Sequence, residues 1–216
     1  MEPISLEQAR EYYSEADPAH DFDHILRVWA LAERIGAAEG ADLGILKPAV
    51  LLHDVGRPEE LRDGRCHAQA GAEKAREILS DWPPDKLEAI AHAIAAHRFR
   101  DDLAPQTLEA KVLFDSDKLD SIGAVGVARA YVICGLRGQR LWSEVDPHYV
   151  HALTKDRSQA RHNSPSNHTP AHEFAFKLEQ IKDMLFTTTA HQIAKERHCF
   201  MEEFFMRLER EVKGEL

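Results

Sequence analysis

The segment Ala49–Arg57, with the sequence AVLLHDVGR, places His53 and Asp54 directly after an apolar run. Burying two polar side chains at the end of a core helix costs free energy unless a partner satisfies them. A divalent metal ion is one such partner. The segment therefore predicts a buried helix that ends at a candidate metal site.

Two further segments place metal-ligand side chains beside apolar helices. His24 lies in HDFDHILRV, in the first turn of a predicted helix, and Asp117 follows the apolar residues 112–114 in LFDSDKLDSIG. Imidazole and carboxylate together suit divalent ions such as Mn²⁺, Fe²⁺, Co²⁺, Ni²⁺ and Zn²⁺. Two imidazoles and two carboxylates leave octahedral positions open for water and a phosphate oxygen, as catalytic sites require.

The apolar periodicity predicts helices along most of the chain. Between Leu26 and Ala38 apolar residues recur at three- and four-residue steps, with Asp23 as a candidate N-cap and Gly40 as a stop signal. The next helix places Pro48 in its first turn, and Gly56 and Pro58 are interpreted as its stop. Strand signals are nearly absent, so the predicted fold class is all-α. The later helices are predicted at 45–53, 67–79, 85–97, 108–119, 122–136, 170–186 and 189–212.

These helices predict one domain over residues 1–216. Its helical-bundle core covers about 20–136. Residues 137–169 contain glycine, proline, serine and asparagine and are predicted to form a loop, with a substrate-covering flap as the alternative. A C-terminal helical pair at about 170–213 is expected to pack on the core.

Composition and charge exclude several classes of protein. The 216 residues carry a formal net charge of −10, which argues against an extended nucleic-acid partner. Apolar runs are far shorter than the roughly 20 residues of a membrane helix, and MEPISLEQAR does not resemble a secretory signal. We therefore expect a cytoplasmic location and no membrane partner. The three scattered cysteines argue against a disulfide scaffold or a cysteine-based zinc site.

Taken in order, the His24, His53-Asp54 and Asp117 motifs resemble the HD-domain phosphohydrolase superfamily. More specifically, the sequence resembles the small bacterial HD hydrolases, some of which are nucleotide pyrophosphohydrolases. It covers the chain from Glu11 to Phe205 and implies an HD-type helical bundle. The matching words are HDFDHILRV, LLHDVGR, HAQAGAEKAREIL, AIAAHRFR, FDSDKLDSIGAVGVARAY and FKLEQIKDMLFTTTAHQIAKERHCFMEEF.

The resemblance implies one divalent ion per chain, from the group Mn, Mg, Ni, Co, Fe and Zn. Its implied ligands are His24, His53, Asp54 and Asp117. Asp117 is preferred to Asp115 because the family ligand falls immediately before the Lys118-Leu119 pair.

The resemblance also implies a set of catalytic residues. His67 and His97 match positions that bind a second ion in dinuclear relatives and face the substrate phosphate in mononuclear ones. One of them, or Asp54, would accept a proton or position the attacking water. The cationic side chains would offset charge on the phosphoryl oxygens. The full implied set is Asp54, His67, His97, Arg27, Arg57 and Lys118.

The implied activity is hydrolysis of a small phosphorylated metabolite, with nucleoside triphosphate cleavage to monophosphate and pyrophosphate favoured. Alternatives within the superfamily are a nucleoside monophosphatase and a phosphodiesterase. The diesterases of the dinuclear branch usually have His-Glu and Gly-Tyr-Pro motifs at this point of the sequence, whereas in this chain Arg98 follows His97. An inactive nucleotide-binding regulatory module and a di-iron oxygenase are alternatives of other classes. A homodimer through the aromatic C-terminal helix also stays open.

Overall fold

The computed structural model describes residues 4–13, 22–98, 103–155 and 168–216, without the side chains of 152–155. Within these ranges the regular structure is helical and contains no strand, which confirms the all-α prediction. The bounds are α1 Leu6–Arg10, α2 Phe22–Glu39, α3 Leu43–Leu52, α4 Arg57–Asp63, α5 His67–Ile78, α6 Pro84–Ala96, α7 Leu108–Asp120, α8 Gly123–Leu136, α9 Pro147–Lys155, α10 Pro170–Phe176, a 3₁₀ helix Leu178–Asp183 and α11 Thr188–Val212.

The chain forms two compact units. Unit 1 comprises residues 1–118 with 185–190, and unit 2 comprises residues 119–184 with 191–216. In unit 1, α3 packs against α2 and α6, and α5 packs against α4 and α6. Ile25, Leu51 and Ile94 are fully buried in this core. The ends of several of these helices carry the polar residues singled out in the sequence.

The start of two helices differs from the prediction. Asp42 caps α3, because its Oδ1 accepts a hydrogen bond from the Gly44 amide at 2.7 Å. The helix therefore begins at Leu43, and Pro48 lies in its interior rather than in its first turn. Asp23 was wrongly predicted as an N-cap, since α2 begins at Phe22 and includes it in the first turn.

The short helix α4 was missed in the sequence, where Gly56 and Pro58 were interpreted as a stop. Pro58 lies in the first turn of α4, a position that needs no backbone N–H donor. Gly56 allows a very close approach to α5, because a Cβ there would lie 2.2 Å from the His67 carbonyl oxygen and 2.5 Å from the Gly71 amide nitrogen. This approach places the His53-Asp54 turn beside the first turn of α5.

Part of the predicted loop at 137–169 is helical. Helix α9 begins at Pro147, and Asp146 caps it by accepting a hydrogen bond from the His148 amide at 2.8 Å. The Asp-Pro pair was the signal that the loop interpretation overlooked. Residues 156–167 of the predicted loop or flap lie outside the described residues. The predicted helix at 170–186 is also interrupted, since α10 ends at Phe176 and a 3₁₀ helix follows.

In unit 2, α10 packs against α8, α9 and the 3₁₀ helix. Phe176, Ile181 and Met201 are buried there. Among the described residues, no single helix is long and apolar enough to span a membrane, although one bent pair, α7 with α8, passes on length and composition alone.

Candidate metal centre

The predicted site residues of unit 1 come from the ends of different helices. His53 is the C-cap of α3 and is followed by Asp54, while His97 is the C-cap of α6. His24 lies in the first turn of α2, and His67 is the first residue of α5. All five side chains are buried. Helix ends thus bring together residues that lie far apart in the sequence.

One group of candidate ligands consists of His24, His53 and Asp54, whose ligand atoms all lie within 4.8 Å of one another. The Nε2 atoms of both histidines lie 3.8 Å from Asp54 Oδ2. Asp117 lies beside this group, with its Oδ1 3.4 Å from His24 Nε2. The structure therefore gathers three of the four predicted ligands compactly, and the fourth contacts the group through His24.

A second group shares Asp54 with the first and adds His67 and His97. Asp54 Oδ1 lies 3.5 Å from His67 Nε2 and 3.7 Å from His97 Nε2. The two Nε2 atoms are 3.3 Å apart. The two oxygens of one carboxylate thus face two different pairs of histidines.

The outer nitrogens of these rings have their own partners. His53 Nδ1 lies 2.8 Å from the Val50 carbonyl oxygen, and His97 Nδ1 lies 2.5 Å from the Ile94 carbonyl oxygen. A carbonyl only accepts hydrogen bonds, so each Nδ1 carries a proton, and in the neutral form of the ring Nε2 presents a lone pair. This is the arrangement in which metal-ligating histidines are commonly held.

The inner atoms fit a cation. His53 Nε2 and Asp54 Oδ1 are buried and have no hydrogen-bond partner among the described residues. Burial lowers the pKa of His53 to about 4, so its ring is neutral near pH 7. Burial alone would raise the pKa of Asp54, but Arg57 and then His53 hold that pKa well below its ordinary value. A neutral imidazole beside an ionised carboxylate is the donor set that divalent transition metals take.

The same causes act elsewhere in the cluster. Burial, and then the nearby His97, lower the pKa of His67 to about 3. Burial would raise the pKa of Asp117, yet Lys118 and then His24 hold it well below the ordinary value. Asp54 and Asp117 are therefore ionised at neutral pH, and the rings of His53 and His67 are neutral.

Cationic side chains border the cluster. Arg57 Nε donates a hydrogen bond to Asp54 Oδ2 at 2.6 Å. Lys118 Nζ donates to Asp117 Oδ2 at 2.7 Å and to the His97 carbonyl oxygen at 3.0 Å. Arg27 follows His24 by one turn of α2 and is half-buried. The phosphate-binding role of all three cations stays a prediction.

The two neighbouring aspartates of α7 have different surroundings. Asp115 accepts hydrogen bonds from the amides of Phe186 and Thr187 at 2.9 and 2.8 Å, and from the Thr187 hydroxyl at 2.7 Å. Within unit 1, these bonds join α7 to the two residues that precede α11. Asp115 thus joins two segments of unit 1 through hydrogen bonds, whereas Asp117 lies beside His24.

Sequence reasoning missed one side chain that contacts the cluster and one that contacts the end of the helix before it. Glu60 of α4 lies 2.7 Å from His67 Nδ1 and accepts a hydrogen bond from Arg98 at 2.9 Å. The signal was the Gly-x-Pro-Glu-Glu pattern of residues 56–60, which is typical of a helix start. Tyr13 was also missed; its hydroxyl donates to the Leu51 carbonyl at 2.9 Å.

Comparisons with known proteins agree with the resemblance described for the sequence. A family model described as the HD domain matches residues 21–122. The uncharacterized protein YpgQ of Bacillus subtilis is 33% identical over 202 residues, which cover 90% of this chain and 85% of YpgQ. The crystal structure of YpgQ in complex with ADP has a TM-score of 0.72 at 30% identity, covering 97% of this chain and 99% of that one.

Two other similarities were found. An HD superfamily hydrolase from an uncultured Thermotogales bacterium has a TM-score of 0.65 at 29% identity, covering 96% of this chain and 90% of that one. Ribonuclease Y of Chloroflexus aurantiacus is 38% identical over 96 residues, which are 44% of this chain and 17% of that protein.

Proposed function

The chain belongs to the HD domain family, and from that premise we propose that it is a metal-dependent phosphohydrolase acting on a nucleotide. The favoured reaction is cleavage of a nucleoside triphosphate to the monophosphate and pyrophosphate. One divalent ion per chain, a cytoplasmic location and no binding of extended nucleic acid belong to the same proposal.

One observation carries the proposal, namely the direction of the imidazole nitrogens around Asp54. His53 and His97 direct Nδ1 to backbone carbonyls, and their Nε2 atoms face the carboxylate. A purely structural network would pair these inner atoms with donors, because an unpaired buried polar group costs about 1–3 kcal/mol. A bound cation removes that cost.

We assign the ion to His24, His53, Asp54 and Asp117. When bound, a divalent ion polarises a phosphoryl oxygen and lowers the pKa of water. His67 and His97 would then face the substrate, where a neutral ring can accept a proton.

Three cationic side chains would bind the phosphate oxygens. Arg57 presents a guanidinium beside Asp54, and Lys118 an ammonium beside Asp117. Both would offset negative charge that develops on the phosphoryl group. Arg27, on the same helix as His24, is assigned the same role.

The nucleotide assignment draws on YpgQ, which was crystallised with ADP and aligns over nearly the whole chain. A ligand of a relative at 30% identity supports a substrate class rather than a particular base. An inactive regulatory module would bind the same ligand without turnover.

A second candidate function is cleavage of a small phosphodiester. The partial similarity to ribonuclease Y favours it, as does Asp54, which faces two histidine pairs and so offers ligands for two ions. Two ions about 3.5–4 Å apart are common in enzymes that cleave phosphate diesters.

The deciding experiment combines metal analysis with a substrate panel. Protein purified without chelator is analysed for bound metals. It is then assayed with Mn²⁺ for release of phosphate or pyrophosphate and, by chromatography, for nucleoside and nucleotide products. The panel contains nucleoside tri-, di- and monophosphates and a dinucleotide. The His53→Ala/Asp54→Ala double variant is the test, and His168→Gln in unit 2 is the control for loss of a buried histidine.

About one ion per chain, with pyrophosphate release that only the double variant loses, is the expected result. Two ions with dinucleotide cleavage would select the diesterase instead. Two irons without hydrolysis would select an oxygenase. Tight nucleotide binding without turnover in the reconstituted parent protein would overturn the enzyme proposal and leave a binding module.

A further inference from the structure

Glu60 connects three parts of unit 1 through one carboxylate. Its Oε2 lies 2.7 Å from His67 Nδ1, and its Oε1 accepts a hydrogen bond from Arg98 at 2.9 Å. Oε2 also lies 4.0 Å from Arg57 Nη1. The Glu60 side chain is 19% exposed, and the His67 side chain is 7% exposed. The carboxylate therefore lies at the rim of the candidate metal centre and contacts a ring that is inside it.

We propose that Glu60 is a positioning residue that fixes the tautomer and the ring orientation of His67. An ionised carboxylate only accepts hydrogen bonds, so His67 Nδ1 must carry the proton of the neutral ring. His67 Nε2 then presents a lone pair toward Asp54 Oδ1 at 3.5 Å and His97 Nε2 at 3.3 Å. That lone pair is what a proton acceptor or a metal ligand needs.

The position of His67 in its helix explains why the acceptor for its Nδ1 is a side chain and not a backbone carbonyl. His53 and His97 are C-caps, and each directs Nδ1 to a carbonyl three residues earlier in its own helix. His67 is the first residue of α5, so no preceding helical turn supplies such a carbonyl. The acceptor therefore comes from α4, in the form of Glu60.

Arg98 makes this acceptor more rigid. It donates to the Glu60 oxygen that does not face His67, and its own side chain is 14% exposed. A carboxylate held at both oxygens has less rotational freedom than one held at a single oxygen. Arg98 follows His97 directly, so the same link joins the second histidine of the pair to α4.

The inference rests on the proposed hydrolase function for its kinetic readout but not for its spectroscopic readout. Glu60→Ala removes the acceptor, and Glu60→Gln keeps an oxygen of the same reach but removes the charge. Glu59→Gln is the matched control, because Glu59 is a neighbouring carboxylate of α4 that pairs with Lys74 at 2.7 Å and is not in the cluster. Thermal melts of all three variants report any loss of folding.

Two measurements are made on each variant. Histidine ring ¹⁵N spectra of the metal-free protein report which nitrogen of His67 carries the proton. Steady-state kinetics with Mn²⁺ report kcat and KM separately. We expect Nδ1–H at His67 in the parent and in Glu59→Gln, and a mixture of tautomers in Glu60→Ala.

The kinetic expectation follows from the usual effect of removing the partner of a functional histidine. We expect kcat to fall about 10–100-fold in Glu60→Ala with KM little changed, and a smaller fall in Glu60→Gln. An unchanged tautomer in Glu60→Ala would overturn the inference, whether or not kcat falls. If the parent protein hydrolyses nothing in the panel, the hydrolase proposal fails, while the ¹⁵N spectra still decide the role of Glu60.

Discussion

The two units each contain a buried histidine cluster, and the clusters differ in how their ring nitrogens are used. In unit 2, His168 Nδ1 lies 3.0 Å from the Tyr149 hydroxyl, and His168 Nε2 lies 3.3 Å from Glu173 Oε2. His172 Nδ1 lies 2.9 Å from the Thr169 hydroxyl. In unit 1, His53 has a partner at Nδ1 only, and its Nε2 faces Asp54.

The difference shows that burial of histidine does not by itself indicate a functional site. Both nitrogens of His168 are paired, and Lys177 pairs with Glu173 at 2.8 Å, so this cluster satisfies itself. In the cluster around Asp54, His53 Nε2 and Asp54 Oδ1 have no hydrogen-bond partner among the described residues, and a cation placed between them would satisfy both. We interpret the first cluster as structural and the second as functional.

Removal of the shared carboxylate should produce the largest effect. In Asp54→Asn we expect the Mn²⁺ affinity to fall by more than about 100-fold, since outer partners of metal ligands alone are worth about 10–100-fold. Isothermal titration calorimetry measures the affinity. His168→Gln in unit 2 should leave it unchanged, and an equal loss in both variants would erase the distinction between the clusters.

Two glycines should respond to alanine with opposite signs. A Cβ at Gly56 meets the backbone of α5 at 2.2 Å, whereas Gly135 in α8 of unit 2 has nothing within 4 Å of its ideal Cβ. Gly56→Ala should lower the free energy of unfolding by about 2–3 kcal/mol and weaken metal binding. Gly135→Ala should raise it by about 0.5–1 kcal/mol, because alanine favours the helix. Urea denaturation measures both, and a stable Gly56→Ala protein would refute the close approach.

Asp115 and Asp117 provide a comparison within one helix. Asp115→Asn should lower the free energy of unfolding by about 2 kcal/mol, because its carboxylate accepts three hydrogen bonds. It should leave Mn²⁺ binding intact. Asp117→Asn should weaken Mn²⁺ binding with a smaller loss of stability. Calorimetric titration and denaturation of both variants test this, and the reverse pattern would exchange their roles.

Acidification should destabilise the metal-free protein through His53. Burial lowers its pKa from 6.5 to about 4, so the unfolded chain binds the proton first as the pH falls. The contribution of neutral His53 to the free energy of unfolding is complete above about pH 6.5 and is lost as the pH falls toward 4. Between pH 7 and pH 5 this amounts to about 2 kcal/mol of unfolding free energy. Denaturation across this range should show a shallower dependence in His53→Gln, and an identical slope would contradict the assignment.

Local patterns predicted most of the helices, because apolar periodicity is a property of neighbouring residues. The predictions at 67–79, 85–97 and 108–119 agree with α5, α6 and α7 to within about two residues. The errors cluster at prolines. Pro58 and Pro147 lie at the starts of helices. In the sequence, Pro58 was interpreted as the end of a helix and Pro147 as part of a loop, because proline both begins and ends helices.

The sequence by itself determined the all-α fold and the residue types of the candidate site. His53 and Asp54 directly follow one apolar helical run, and Asp117 lies three residues after another. A buried polar residue needs a partner wherever it lies. This requirement can be recognised without knowing which helices pack together.

Only the tertiary structure decided how those residues are used. It turned the Nε2 atoms of two histidine pairs toward the two oxygens of Asp54, gave Asp115 a structural role, and brought Glu60 to His67. Each of these contacts joins residues from different helices, and their geometry depends on close packing such as that at Gly56. Direction and distance between distant segments are set by packing, which no local pattern records.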